Sequence, residues 1–248
     1  AGRFDCSLCN WFLYFHFFYA IMRDMERWRL RVIEKTVNGI RCFALTEESD
    51  LEAIADEAAA VLRRGGVLLT PTDTVYGLVC LPTSVEAVNA VFDMKQRPSN
   101  WRLPVIAADQ EQAERELPLL WTAGARSLAR AFWPGALTIA FGVRENDLDW
   151  LAGRDEVAVR VPDYPFIRTL AKKTGPFLMT SANRHGEKTP HTVEGALRAL
   201  AAKPALVLDG GTLRGTPSTL VNVHLPAPVV EREGILSNAE IERVLCLA

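Results

Sequence analysis

Residues 46–78 read TEESDLEAIADEAAAVLRRGGVLLTPTDTVYGL. Leu51, Ile54, Ala55, Ala58 and Leu62 recur at the spacing of one helical face, which predicts an amphipathic helix over 46–64. Thr46, Ser49 and Asp50 are its candidate N-caps, since each carries an oxygen that can accept from a free N–H of the first turn. Gly65-Gly66 stops it, because glycine enters the left-handed backbone past a helix end without strain. Val67–Thr70 then reads as a short buried strand ending at Pro71. A helix feeding directly into a buried strand sets an α/β class. The strand runs into a hydroxyl-rich turn over 70–78, whose hydroxyls and free backbone N–H groups can hold a carboxylate or phosphate. Its plainer reading is a capped turn into another helix, with Asp73 or Thr74 as the cap.

The same grammar extends outward. Trp28–Lys35 and Ile40–Leu45 flank Asn38-Gly39, a hairpin signature. Helices are expected over Ser84–Met94, Gln110–Leu117, Thr122–Phe132, Pro165–Lys173, Thr192–Ala202 and Ser237–Leu245. The last opens on a capping box, Ser237 with Glu240. Strands are expected over Leu103–Ala108, Leu137–Val143, Val157–Val161, Phe177–Thr180, Ala205–Leu208, Ser218–Val223 and Val229–Arg232. Some neighbouring strands leave no room for a helix between them, so the sheet is expected to be mixed. With no long linker, repeat or low-complexity tract, residues 25–248 read as one domain.

Composition narrows the class. The chain has 248 residues, 49% of them hydrophobic and 23% charged, which excludes a disordered, collagenous or disulfide-stapled chain. Lys and Arg number 28 against 30 Asp and Glu, so no whole-protein basic field for nucleic acid exists, while a local basic cleft stays open. The cysteines are five and scattered, which suits reduced thiols, and Cys6-x-x-Cys9 has no second ligand pair to make a zinc site. Eight of the 21 aromatic residues lie in the first 21 positions. The apolar run Trp11–Met22 is shorter than the roughly 20 residues of a bilayer span. Residues 1–24 are therefore expected to be an apolar extension outside the functional domain, with no membrane span.

Three more polar clusters join the turn at 70–78. Lys95-Gln96-Arg97-Pro98 sets two cations on one side of an extended segment, a spacing that suits a polyphosphate; a solvated helix end is the alternative. Thr180-Ser181-Ala182-Asn183 projects a hydroxyl and an amide from a strand end. Arg160 closes the strand VAVRVP, where a long basic residue is either ion-paired or functional. P-loop, GxGxxG, HExxH and GxSxG patterns are absent, and His16, His185, His191 and His224 form no metal spacing.

In order, PTDTVYGL, KxRP, WPGALT, VAVRVP, TSAN, PSTLVN and VVERxG resemble the Sua5/YrdC/YciO family over about residues 50–235. The family signature, KxR and later SxN, stands here as Lys95-x-Arg97 and Ser181-x-Asn183. The resemblance implies a single-domain YrdC-like α/β fold, a twisted mixed sheet flanked by helices, with a basic concave cleft. It implies a nucleotidyltransferase, a threonylcarbamoyl-AMP synthase of the short type, joining L-threonine, bicarbonate and ATP with release of pyrophosphate. The product would pass to a threonylcarbamoyl-transferase complex that modifies adenosine 37 of tRNA, making tRNA an indirect partner and the cytoplasm the location. Lys95, Arg97, Ser181 and Asn183 take the catalytic positions. ATP falls to Lys95, Arg97, Thr138, Asn183 and Arg232, and threonine to Thr74, Arg160, Ser181 and Ser218. Mg²⁺ would bridge phosphates, with Asp73 at most an indirect ligand. The chain departs from the family pattern at Arg102, Ile106, Ala136, Arg184-His185-Gly186, His191 and Glu233. These departures define the alternative, a YciO-like nucleotide- or RNA-binding protein of the same fold without synthase activity.

Overall fold

Asn38 and Gly39 both take positive φ, 52° and 77°, and turn β1 (Ile33–Val37) into β2 (Ile40–Ala44). The computed structural model describes residues 32–98, 102–145, 148–213 and 215–247; the expected extension at 1–24 lies outside them, as does the start of the first expected strand. Next come α1 (Leu51–Arg63), β3 (Leu68–Thr70), β4 (Gly77–Cys80), α2 (Val85–Lys95), β5 (Val105–Ile106), α3 (Gln110–Glu116) and α4 (Ala123–Phe132). They are followed by β6 (Leu137–Gly142), a 3₁₀ turn (Asp149–Leu151), β7 (Glu156–Arg160), α5 (Pro165–Thr174), β8 (Phe177–Ser181) and α6 (Val193–Ala199). The chain closes with β9 (Leu206–Asp209), β10 (Thr219–Asn222), β11 (Val229–Arg232) and α7 (Asn238–Leu245).

The strands form one sheet in the order β1-β2-β9-β3-β4-β8-β5-β7-β6-β10-β11. β9 runs parallel to both β2 and β3, β5 to β7, and β10 to β6, while the other pairs are antiparallel. The sheet is therefore mixed, as the short connections require.

Two cores lie on its two faces. On one, Ile54, Ala58 and Leu62 of α1 and Phe166, Ile167 and Leu170 of α5 pack over Phe43, Leu68, Val79, Ile106, Phe177 and Leu206. On the other, Val91, Leu128, Ala196 and Ile241 bring α2, α4, α6 and α7 against Leu69, Leu137, Ile139, Phe141, Val157, Val159 and Val221. Among the described residues, the first core takes nothing from β6, β7, β10 or β11. Alternation along a strand sends every second side chain to the opposite face. Thr138, Ala140, Ala158, Arg160 and Leu220 consequently point to the side that α1 and α5 leave uncovered, and they line a cleft there.

Local expectations shift where tertiary pairing overrides them. The turn after β3 leads into no helix: Thr70 pairs with Gly77, and β4 returns antiparallel as a strand buried throughout. Helix α1 starts at Leu51, capped by Asp50 Oδ1, which accepts from Ala53 N at 3.1 Å; Ser49 Oγ instead donates to Ala44 O and closes the turn after β2. The strand expected over Leu103–Ala108 contracts to β5, since Pro104 has no N–H to give a ladder. The helix expected to reach Ala202 stops at Ala199. Ser84, Thr122, Thr192 and Ser237 all cap their helices, and Ser237 with Glu240 forms the full capping box.

Gly77 is required by the close approach of β4 and β8. A Cβ there would stand 2.4 Å from Met179 Cε and 2.9 Å from Thr180 O. Gly77→Ala is expected to destabilise the protein by about 1–3 kcal/mol through overpacking. Urea unfolding should show a lower midpoint at unchanged m-value.

Candidate active site

The uncovered sheet face forms a cleft of about 740 Å³. Five arginines line it, Arg97, Arg102, Arg154, Arg160 and Arg232, against two carboxylates, Glu156 and Glu231. An excess of cations in a concave, low-dielectric surface concentrates positive potential and draws in anions. The small side chains of Ala140 and Ala158 keep the floor open. Along β7, Arg160 and Glu156 stand roughly 13 Å apart at strand rise, so the cleft accepts an elongated ligand.

Arg160 anchors one end. Its Nη2 pairs with Asp73 Oδ1 at 2.6 Å, its Nη1 donates to Thr74 Oγ1 at 2.9 Å, and its Nε donates to Gly135 O at 3.0 Å. Thr72 shapes the turn that delivers these partners: its Oγ1 accepts from the N–H groups of Thr74 and Val75, 3.1 Å each. Burial lowers the pKa of Arg160 and Asp73 opposes that shift; a guanidinium stays charged regardless. Beside it, Thr138 and Ser218 hydroxyls meet at 2.9 Å, and Arg232 Nη2 donates to Ser218 O at 2.9 Å. Arg232 reaches the cleft through a β-bulge. Leu220 pairs with Arg232 but Val221 with Val230, so Glu231 is the extra residue and both of its side chain and that of Arg232 face the cleft.

The KxR and SxN segments form another wall. Lys95 and Arg97 do not share an extended segment, as the spacing suggested. Lys95 is the last residue of α2, and Gln96, at φ 49°, turns the chain through the left-handed region. The two cations thus part. Arg97 faces the cleft, with Nη1 3.5 Å from Thr180 Oγ1. Lys95 is only 2% exposed. Its Nζ donates to Ser181 O, to Asn183 O at 2.7 Å and to Asn183 Oδ1 at 3.3 Å. Burial, and then the positive charge of Arg97, lowers its pKa to about 8. Burial likewise lowers the pKa values of Arg97 and Arg232.

Of the residues anticipated from sequence, Arg97, Thr138, Arg160, Ser181, Ser218 and Arg232 line the cleft. Thr74, Lys95 and Asn183 stand behind its wall, each hydrogen-bonded to a lining residue. Asp73, expected as a cap or an indirect metal ligand, is instead the partner of Arg160. The carbonyl of Gly135, Arg154 and the pair Glu156 and Glu231, bridged by the Asn222 amide at 3.1 and 2.7 Å, were not singled out. The ion-pair reading of Arg160 was the one signal that pointed to a partner such as Asp73. Asp73 Oδ1 is committed to Arg160, and among the described residues no group of three or more His, Cys, Asp or Glu could hold a metal. Among the described residues, the cleft therefore holds no cluster that would bind Mg²⁺ without substrate oxygens. Among the described residues no helix is long and apolar enough to cross a membrane.

A sheet with this order and a cleft walled by KxR and SxN define a class of α/β protein. The sequence model Sua5_yciO_yrdC, described as telomere recombination, matches residues 60–234. Threonylcarbamoyl-AMP synthase of Bacillus subtilis is 36% identical over 193 residues, 76% of this chain and 56% of that protein. The chain belongs to the Sua5/YciO/YrdC family. The crystal structure of P. abyssi Sua5 complexed with L-threonine superposes with a TM-score of 0.74 at 32% identity, over 82% of this chain and 60% of that one. The crystal structure of E. coli YciO does so with a TM-score of 0.69 at 25% identity, over 77% and 93%. The chain thus spans little more than half the length of the B. subtilis relative.

Asp73→Ala would leave the buried Arg160 without its counter-charge, and is expected to cost about 3–5 kcal/mol. Asp73→Asn, which keeps an acceptor oxygen, should cost less. Denaturant unfolding of the two variants beside the parent checks the order.

Proposed function

We propose that this chain is a threonylcarbamoyl-AMP synthase acting in the cytoplasm, a nucleotidyltransferase that consumes L-threonine, bicarbonate and ATP. The observation that carries the reading is the cleft itself. It has a buried, ion-paired arginine with hydroxyls at one end, further arginines along its length, and the KxR and SxN segments in its wall. The named activity of the B. subtilis relative and the threonine complex of P. abyssi Sua5 support the same reading.

The chemistry is a condensation that needs positioning and charge stabilisation more than a nucleophilic side chain. Bicarbonate takes up a proton and loses water to give CO₂. The threonine amine attacks the CO₂ and releases one proton to give the N-carboxylate, so the two protons cancel. A carbamate oxygen then attacks the α-phosphorus of ATP. The bond to the bridging oxygen breaks and pyrophosphate leaves. Arg160 fits the threonine carboxylate, through the guanidinium N–H groups not spent on Asp73, Thr74 and Gly135. Thr74 orients Arg160, and Ser181 and Ser218 present hydroxyls to the amino acid. Arg97 and Arg232 neutralise the phosphates as charge shifts to the leaving group, with Thr138 beside them and Lys95 and Asn183 behind the wall. Mg²⁺, where it takes part, arrives on the nucleotide. The product passes to a threonylcarbamoyl-transferase complex that acts on tRNA, so tRNA contact is indirect.

Incubation of the chain with ATP, threonine and bicarbonate should release pyrophosphate only when all three are present, with threonylcarbamoyl-AMP seen by mass. Pyrophosphate release indifferent to threonine, or none at all, would leave the YciO-like reading in its place. Arg97→Ala is expected to lower turnover roughly 100- to 1,000-fold, the usual loss for a transition-state donor, with unfolding behaviour unchanged.

A further inference from the structure

We propose that Lys95 is a positioning residue, an internal cation that fixes the Ser181-Ala182-Asn183 turn and so sets the Ser181 hydroxyl on the cleft wall. An ammonium has three N–H donors and no acceptor. Three oxygens take them: Ser181 O, Asn183 O and Asn183 Oδ1. No donor is left for a phosphate, and Lys95 is absent from the cleft lining.

The turn needs this cation. Two carbonyls, from positions 181 and 183, converge on one buried point. Left without a donor, each would cost its full desolvation penalty. The amide oxygen of Asn183 meets the ammonium on one side and accepts from Ser181 Oγ at 2.5 Å on the other. Asn183 Nδ2 donates onward to Arg184 O and Glu187 O at 2.8 and 2.6 Å, which fixes the orientation of the amide. The Ser181 hydroxyl is thus aimed by a relay that begins at Lys95. The backbone repeats the tie, since His185 N donates to Lys95 O at 3.0 Å. Gln96 explains why the motif needs a residue between its cations: a left-handed step sends Lys95 behind the wall and Arg97 into the cleft. The two basic residues have different tasks, one internal and one facing ligand.

The inference rests on the synthase reading only for the turnover assay; two of its readouts need no turnover. Lys95→Met removes the charge at similar length, and Lys95→Gln keeps N–H donors without it. In Lys95→Met, ATP affinity by calorimetry should stay within about threefold of the parent, while amide exchange over 181–187 rises tenfold or more. Turnover at saturating ATP should fall at little-changed KM, with Lys95→Gln recovering part of it. ATP affinity lowered tenfold or more with exchange over 181–187 unchanged would make Lys95 a phosphate ligand and overturn the proposal. So would Gln and Met variants that are alike in exchange and turnover. If Lys95→Met does not fold, the same readouts apply to Lys95→Gln. Failure of both to fold goes with the internal role, since a ligand standing in an open cleft carries no fold.

Discussion

The guanidinium of Arg160 joins parts of the chain that are far apart in sequence. It ends a central strand, takes a counter-charge and a hydroxyl from the turn between β3 and β4, and takes a carbonyl from the loop before β6. The backbone carbonyl of the same residue accepts from Ala107 N, just past β5. A charge held at 7% exposure is tolerated only with a counter-charge and hydrogen bonds around it. Supplying them fixes where the turn and the loop can lie, and those positions give the cleft its closed end.

The cleft exists because helices cover one sheet face only in part. α1 and α5 stop short of β7, and apart from Leu220 the strands beyond line the cleft on that face with small or polar side chains. On the opposite face the same strands carry Ile139, Phe141, Val157, Val159 and Val221, fully engaged with the second core. One alternation therefore serves two purposes: it anchors the strands from behind and leaves their front open for ligand. The bulge at Glu231 adds a second polar side chain to that front where strict alternation would allow one.

How much of this could be read in advance depends on the range of the interaction. Caps and turns are local, so Asp50, Ser237 with Glu240, and the Asn38-Gly39 turn were legible from a few neighbouring residues. So was the polar alternation around Arg160. β4 was not, because Gly77 is chosen by the nearness of Met179 and Thr180 on a strand a hundred residues later, and no local pattern carries that. The KxR spacing was misread for a related reason. Two residues apart means one side in extended chain, but Gln96 takes a left-handed step that only the helix end and the turn at 181–183 explain. Arg154 and Glu156 belong to no motif, and Glu231 is only one letter of VVERxG; the meeting of the two carboxylates is set by sheet register and the bulge, which no local pattern carries.

The strand order has a consequence for how the chain acquires its shape. β9 is the parallel neighbour of both β2 and β3, so Cys42 must wait for Val207 and Leu68 for Leu206. Pairings so distant in sequence make folding slow, because loop entropy is lost before any contact is gained. During synthesis β2 and β3 emerge early and stay as bare edges, open to wrong partners, until nearly the whole domain has been made. A shortened chain ending before β9 would leave the sheet in two unjoined parts, with the turn that holds Asp73 and Thr74 anchored on one side only.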